Sequence, residues 1–168
     1  DYNRQFAPIA KKESGSFLLL NRNKRSMTLN LKTGEGRDIF CKLVKEADVI
    51  VEGFRPGVMQ RLGLGYEALQ AVNPRVVYCA ISGFGQDGPD ALKSGHDLNY
   101  MGIAGALQLF GTPGTGPIVP GLSIADVGGG SLMAAFGILT ALAARDRTGQ
   151  GQFVDRLAER RIIRWDLF

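Results

Sequence analysis

The sequence predicts an α/β fold, a parallel sheet flanked by helices, and three observations carry that expectation. Short β-prone segments alternate with helix-patterned ones in the order strand, helix, strand, helices, strand. Hydrophobic residues make up 45% of the chain and charged residues 21%, a globular balance. At 168 residues the chain suits one domain that buries roughly two-thirds of its unfolded surface.

Ser26 to Leu31 alternate and are β-prone, which predicts the first strand. Thr33 reads as the N-cap of a helix in which Ile39, Leu43 and Ala47 recur at helical spacing. Asp48 to Gly53 is a compact apolar strand, and Arg55-Pro56-Gly57 turns into a short helix from Val58. A second short helix runs from Tyr66 to Val72, where Asn73-Pro74 stops it. Arg75 to Ser82 is the third strand, followed by a loop over Gly83 to Pro89. On such sheets ligands bind in the loops beyond the strand C-terminal ends, here Gly53-Phe54-Arg55 and Gly83-Phe84-Gly85.

The second half reads as a helix from Gly95 to Leu109, a Gly/Pro loop from Gly111 to Gly121, and a long helix from Asp126 to Arg147. Gly128, Gly129 and Gly130 weaken the start of that helix by roughly 1 kcal/mol each relative to alanine. They imply either close approach by a ligand or backbone, or tight helix packing. Asp155 to Phe168 crowd basic residues into a pattern that fits no clear element, and read as an atypical tail.

The net charge is +4, a mild excess that invites an anionic partner without choosing one. No helix-turn-helix or RNA-binding aromatic pattern accompanies it, so nucleic acid is not expected as a partner. No P-loop occurs. Cys41 and Cys79 lack metal spacing and read as reduced, buried thiols, and no metal site is expected. The first residues contain no apolar signal region. The longest apolar run, Ser131 to Ala144, has 14 residues against the ~20 needed to span a bilayer. The chain is therefore expected to be soluble and cytoplasmic, with no membrane partner.

Two residues stand out for chemistry. His96 is the single histidine, at the start of a helix after a loop. It reads either as a structural residue or as a base that the helix N-terminus keeps neutral. Asp126 sits in almost wholly apolar surroundings. It is either an N-cap or a carboxyl whose raised pKa suits proton transfer. Arg22, Lys24, Arg25, Lys32, Arg55 and Arg61 could hold phosphates or simply form a solvated surface.

Several strings now carry a resemblance. Asn21 to Ser26 with Leu29 to Lys32, Glu52 to Met59, Arg61 to Gly65, Ile81 to Gln86 and Arg147 to Gln152 resemble segments of the family III CoA-transferase superfamily, in register from about Ser16 to Asp155. Gly95-His96-Asp97-Leu98-Asn99-Tyr100 resembles the GHDINY motif of its α-methylacyl-CoA racemase branch, where transferase members carry an aromatic residue at the histidine position. The resemblance implies a Rossmann-like partial large domain over 1–154, with the first strand-helix unit missing and 155–168 an atypical end. It implies His96 and Asp126 as the acid/base pair for racemisation at carbon 2 of 2-methylacyl-CoA thioesters. Leu29, Lys32, Gly53, Phe54, Arg55 and Arg61 would contact the adenine and phosphates of coenzyme A. Gly95, Asp97, Leu98, Asn99 and Tyr100 would hold its pantetheine and thioester end.

No cofactor is implied beyond the coenzyme A of the substrate. A full-length relative is expected to be about twice this length and an interlocked homodimer, peroxisomal or mitochondrial in a eukaryote. Two alternatives stay open: a CoA-transferase that forms an aspartyl anhydride at Asp126, and an inactive CoA-binding fragment.

Overall fold

The computed structural model describes residues 2–10 and 12–157. The chain forms two compact units, Asp1–Asn30 and Leu31–Phe168. In the first, a 3-10 turn at Tyr2–Gln5 precedes a two-stranded antiparallel hairpin, β1 (Ile9–Ala10) and β2 (Glu13–Ser14). Helix α1 (Gly15–Asn21) follows, its first turn capped by the Ser14 hydroxyl, which accepts from the Phe17 N–H. The strand expected over Ser26 to Leu31 is not formed: residues 24–30 are irregular. Alternation alone does not make a strand where no neighbouring strand takes its backbone hydrogen bonds.

The second unit opens with α2 (Gly34–Glu46), capped as the sequence implied by Thr33, whose hydroxyl accepts from Gly36 N–H at 3.1 Å. Then come β3 (Val49–Glu52), α3 (Val58–Arg61), α4 (Tyr66–Val72) and β4 (Val77–Ser82). Helix α5 (Asp97–Ile103) stops well short of Leu109, because Gly105 turns left-handed at φ +76° and a 3-10 turn, Ala106–Leu109, follows. A small hairpin, β5 (Gly111–Thr112) with β6 (Gly116–Pro117), closes the Gly/Pro loop.

The long helix begins as a π-helix, Ile124–Leu132, and continues as α6 (Met133–Thr148). Together they make a 25-residue run, Ile124–Thr148, the one helix among the described residues long and apolar enough by length and composition to cross a membrane. The 14-residue apolar count therefore understates the helix. Strand β7 (Phe153–Leu157) ends the described chain. Its last three residues, Asp155 to Leu157, lie in the segment that reads as a tail, and 158–168 fall outside the described residues.

The sheet is parallel, in the order β3-β4-β7, with Glu52 opposite Ala80 and Ala80 opposite Asp155. Central β4 is buried on both faces, as parallel strands usually are. Tyr78 and Ala80 point to one side, into a core with Val44, Ile50, Met59, Leu64 and Leu69. Val77 and Cys79 point to the other, against Ala134 and Ala141 of α6 and Val154 of β7. Both cysteines are free thiols; Cys79 is buried, which pushes its thiol up to about 11, and Cys41 is half-buried.

Candidate active site

The loops that leave β3 and β4 and the start of α5 surround an open cavity of about 410 Å³. Gly53, Phe54, Arg55 and Pro56 form one wall, and Ile81, Ser82 and Gly83 another. Ala91, Lys93, Ser94, Gly95, His96 and Tyr100 close a third side, with Asp126 and Gly130 facing them from the π-helix. The cavity lies where an open parallel sheet places its ligands, beyond the carboxyl ends of the strands.

His96 is the N-cap residue of α5, in extended backbone at φ −134°. Its N–H donates to Asn99 Oδ1 at 2.9 Å, so the backbone is fixed while the exposed side chain lines the cavity. Asp126 is not the cap of its helix: Ser123 occupies that position, and Asp126 stands in the first turn. It is tied to α5 by its N–H, which donates to Asp97 Oδ1 at 2.8 Å. Asp126 is exposed as a residue, yet partial desolvation raises its carboxyl above the usual carboxylate range, and the charge of Asp97 adds to the rise. The Asp97 N–H and the nearby His96 pull it back in part.

Tyr100 braces the cavity. Its hydroxyl donates to the Gly95 carbonyl, and its ring packs edge-on to Phe84, centroids 5.2 Å apart. A Cβ at Gly83 or Gly95 would lie 2.6 or 2.7 Å from atoms of the Tyr100 ring, so glycine is required at both wall positions.

Of the thirteen residues singled out in the sequence, His96, Asp126, Gly53, Phe54, Arg55, Gly95 and Tyr100 line this one cavity. Lys32, Arg61, Asp97, Leu98 and Asn99 do not. Asp97 and Asn99 act through hydrogen bonds to Asp126 and His96, Leu98 is exposed, and Arg61 folds back beside Gly57. Leu29 belongs to the first compact unit. The structure adds Lys93, which pairs with Asp90 at 2.7 Å, and Ser82, whose buried hydroxyl has no hydrogen-bond partner. Neither carried a sequence signal beyond its place in a loop or at a strand end. Gly130 lines the cavity, so one glycine of the run approaches the site, whereas a Cβ at Gly128 would meet nothing within 4 Å.

A parallel sheet carrying a histidine and a carboxyl in one cavity beyond its strand ends defines an α/β protein with a site suited to acid/base or acyl chemistry. The chain belongs to CoA-transferase family III, whose family model matches residues 1–165. That match continues beyond Asp155, through most of the basic terminal segment. Human alpha-methylacyl-CoA racemase is 47% identical over 136 residues, covering 81% of this chain and 36% of that protein. Acetyl-CoA:oxalate CoA-transferase of Acetobacter aceti is 44% identical over 156 residues, covering 92% and 40%. A CAIB/BAIF family protein of Brucella suis superposes with a TM-score of 0.89 at 37% identity, over 97% of this chain and 44% of that one. The chain thus spans well under half the length of these relatives, racemase and transferase alike.

Proposed function

We propose that the cavity is an acyl-CoA site that racemises carbon 2 of a 2-methylacyl-CoA thioester. The observation that carries this reading is the placement of His96 and Asp126 in one cavity, with Asp126 fastened to the residue next to His96 by its N–H bond to Asp97 Oδ1. Racemisation needs a proton removed from one face of the α-carbon and returned to the other. His96 as the neutral base takes the proton, the thioester carbonyl becomes an enolate oxygen, and protonated Asp126 supplies a proton to the opposite face. For the other enantiomer the roles reverse. A carboxyl that burial holds above its usual range is suited to that donor role. Arg55 and Lys93 at the cavity wall give the coenzyme A phosphates positive partners.

A second reading has its own support. The relatives include an acetyl-CoA:oxalate CoA-transferase, and transfer through an aspartyl anhydride needs Asp126 as nucleophile without a histidine base. Incubation of a 2-methylacyl-CoA in D₂O, followed by mass spectrometry, tests the choice. Racemisation incorporates deuterium at carbon 2, and His96→Ala is expected to slow that incorporation by about 10²–10⁴. Exchange that is undiminished in His96→Ala, or a hydroxylamine-trapped acyl adduct on Asp126 without exchange, would sink the racemase reading. Coenzyme A binding with neither exchange nor adduct would mark a binding fragment.

A further inference from the structure

One buried polar group of the cavity wall is left without a partner. Ser82 closes the central strand β4 and is 8% exposed, and its hydroxyl makes no hydrogen bond. Buried hydroxyls ordinarily do, because an unpaired one bears its full desolvation. Ser14, the other buried serine among the described residues, accepts from the Phe17 N–H. Even the exposed Ser131 and Thr140 donate to the carbonyls of Asp126 and Phe136. A serine at the end of a strand can turn to a backbone N–H nearby in its own chain, and Ser82 does not. Gln86, Arg145, Asp155 and Arg156 also carry a buried unpartnered atom, but none of these four lines the cavity.

Ser82 stands where the walls of the cavity converge. Its neighbour Ile81 meets two of them: Cγ2 lies 3.8 Å from where a Cβ of Gly130 would be, and the carbonyl oxygen 3.9 Å from that of Gly53. Its other neighbour, Gly83, lies against the Tyr100 ring. The remaining donors of the lining have other work. The Tyr100 hydroxyl is spent on the Gly95 carbonyl, and Lys93 is paired with Asp90. Lys93 and Arg55 are cations, which suit phosphate. A hydroxyl closed to bulk water and to every protein acceptor is left for what the cavity itself holds. Being neutral, it suits a neutral acceptor such as a carbonyl oxygen.

We propose that Ser82 is a ligand-contacting residue of the cavity, its hydroxyl donating to a carbonyl oxygen of the bound acyl-CoA. The proposal rests on the acyl-CoA reading of the cavity. Such a ligand carries carbonyl oxygens of two kinds, in the amides of its pantetheine arm and in the thioester. A bond to an amide oxygen holds the substrate and leaves the chemical step alone. A bond to the thioester oxygen strengthens as that oxygen gains charge in the enolate, and so assists the reaction as well. In either case the hydroxyl weakens the empty fold and finds its partner only when the cavity is filled. Replacing it by hydrogen therefore separates stability from binding, which loss of a purely structural hydroxyl would not do.

The test compares the 168-residue chain with Ser82→Ala in two measurements. In thermal denaturation without ligand, the melting temperature of Ser82→Ala is expected to equal or exceed that of the wild type. A fall, up to failure to fold, overturns the proposal, because it shows that the hydroxyl already has a structural partner such as a trapped water. In calorimetry, the probes are coenzyme A and 2-methylpropanoyl-CoA, a thioester with no stereocentre to racemise. Ser82→Ala is expected to weaken binding by about three- to tenfold. Loss for both probes assigns the acceptor to the pantetheine arm, and loss for the thioester alone assigns it to the thioester oxygen. Unchanged affinity for both overturns the proposal and leaves the acyl-CoA reading standing. A wild-type chain that binds neither probe rejects the acyl-CoA reading, and the assigned acceptor of Ser82 falls with it.

Discussion

Asp97 acts on Asp126 in two opposing ways: its backbone N–H stabilises the neighbouring carboxylate, while its own charge disfavours it. Replacing Asp97 by asparagine removes the charge and keeps an oxygen that can accept from the Asp126 N–H. Asp97→Asn is therefore expected to lower the Asp126 pKa, a shift that ¹³C-carboxyl NMR would register. Asp97→Ala also breaks the bond at 2.8 Å, and is expected to lower kcat more than Asp97→Asn does. For the reacting groups themselves, His96→Ala and Asp126→Asn are each expected to reduce the carbon-2 exchange rate by about 10²–10⁴. Little of this was readable beforehand. The sequence marked His96 and Asp126, but the bond that fastens Asp126 beside His96 runs to Asp97, 29 positions away, and no local spacing encodes such a contact. In the sequence Asp126 suits a helix cap at least as well as proton transfer, but the helix starts earlier, with Ser123 at the cap.

At the scale of elements, α5 and the loop that leads into it are braced by one aromatic ring, that of Tyr100. Tyr100→Phe keeps the ring and removes the hydroxyl bond to Gly95, a loss of about 0.5–1.5 kcal/mol measurable by urea denaturation. Gly83→Ala and Gly95→Ala place a methyl against that ring, an overpacking expected to cost about 1–3 kcal/mol each. The penalty of Gly95→Ala should largely vanish in a Tyr100→Ala background, and a cycle of the four proteins would show it. Elements whose identity rests on local chemistry were legible. Thr33 followed by a helical period gave α2, and Asn73-Pro74 ended α4. The reading failed where neighbours decide. Ser26 to Leu31 alternate without a partner strand, and Asp155 to Leu157 look irregular yet pair with Ala80, Ile81 and Ser82. The π-helical start of the long helix was equally hidden, since its wider i→i+5 bonding leaves no residue period that the sequence displays.

For the second unit as a whole, three carboxyls at the strand ends and the cavity share one direction of shift: Glu52, Asp126 and Asp155 are all raised, each chiefly by burial. The sign of the linkage follows. A raised carboxyl binds its proton more tightly folded than unfolded. Its contribution to stability is complete below the unfolded pKa and is lost as pH rises through the folded one. Between neutrality and the ordinary carboxylate range, these three groups make the unit more stable as the solution is acidified. Thermal denaturation at several pH values should show a melting temperature that climbs in that window, and a flatter curve for Glu52→Gln.

The order β3-β4-β7 also governs how the sheet comes into being. Strands β3 and β4 are close neighbours in the chain, but β4 meets β7 only after the intervening stretch from Ser82 to Phe153 has been synthesised. Closing so long a loop costs entropy before any contact repays it, and parallel pairings of this kind form slowly. Until β7 arrives, one edge of the central strand offers its unpaired backbone groups to any extended segment nearby. On a translating ribosome this strand would wait, half-zipped and open to misassociation, so recovery of folded protein is expected to improve when synthesis proceeds beside a chaperone.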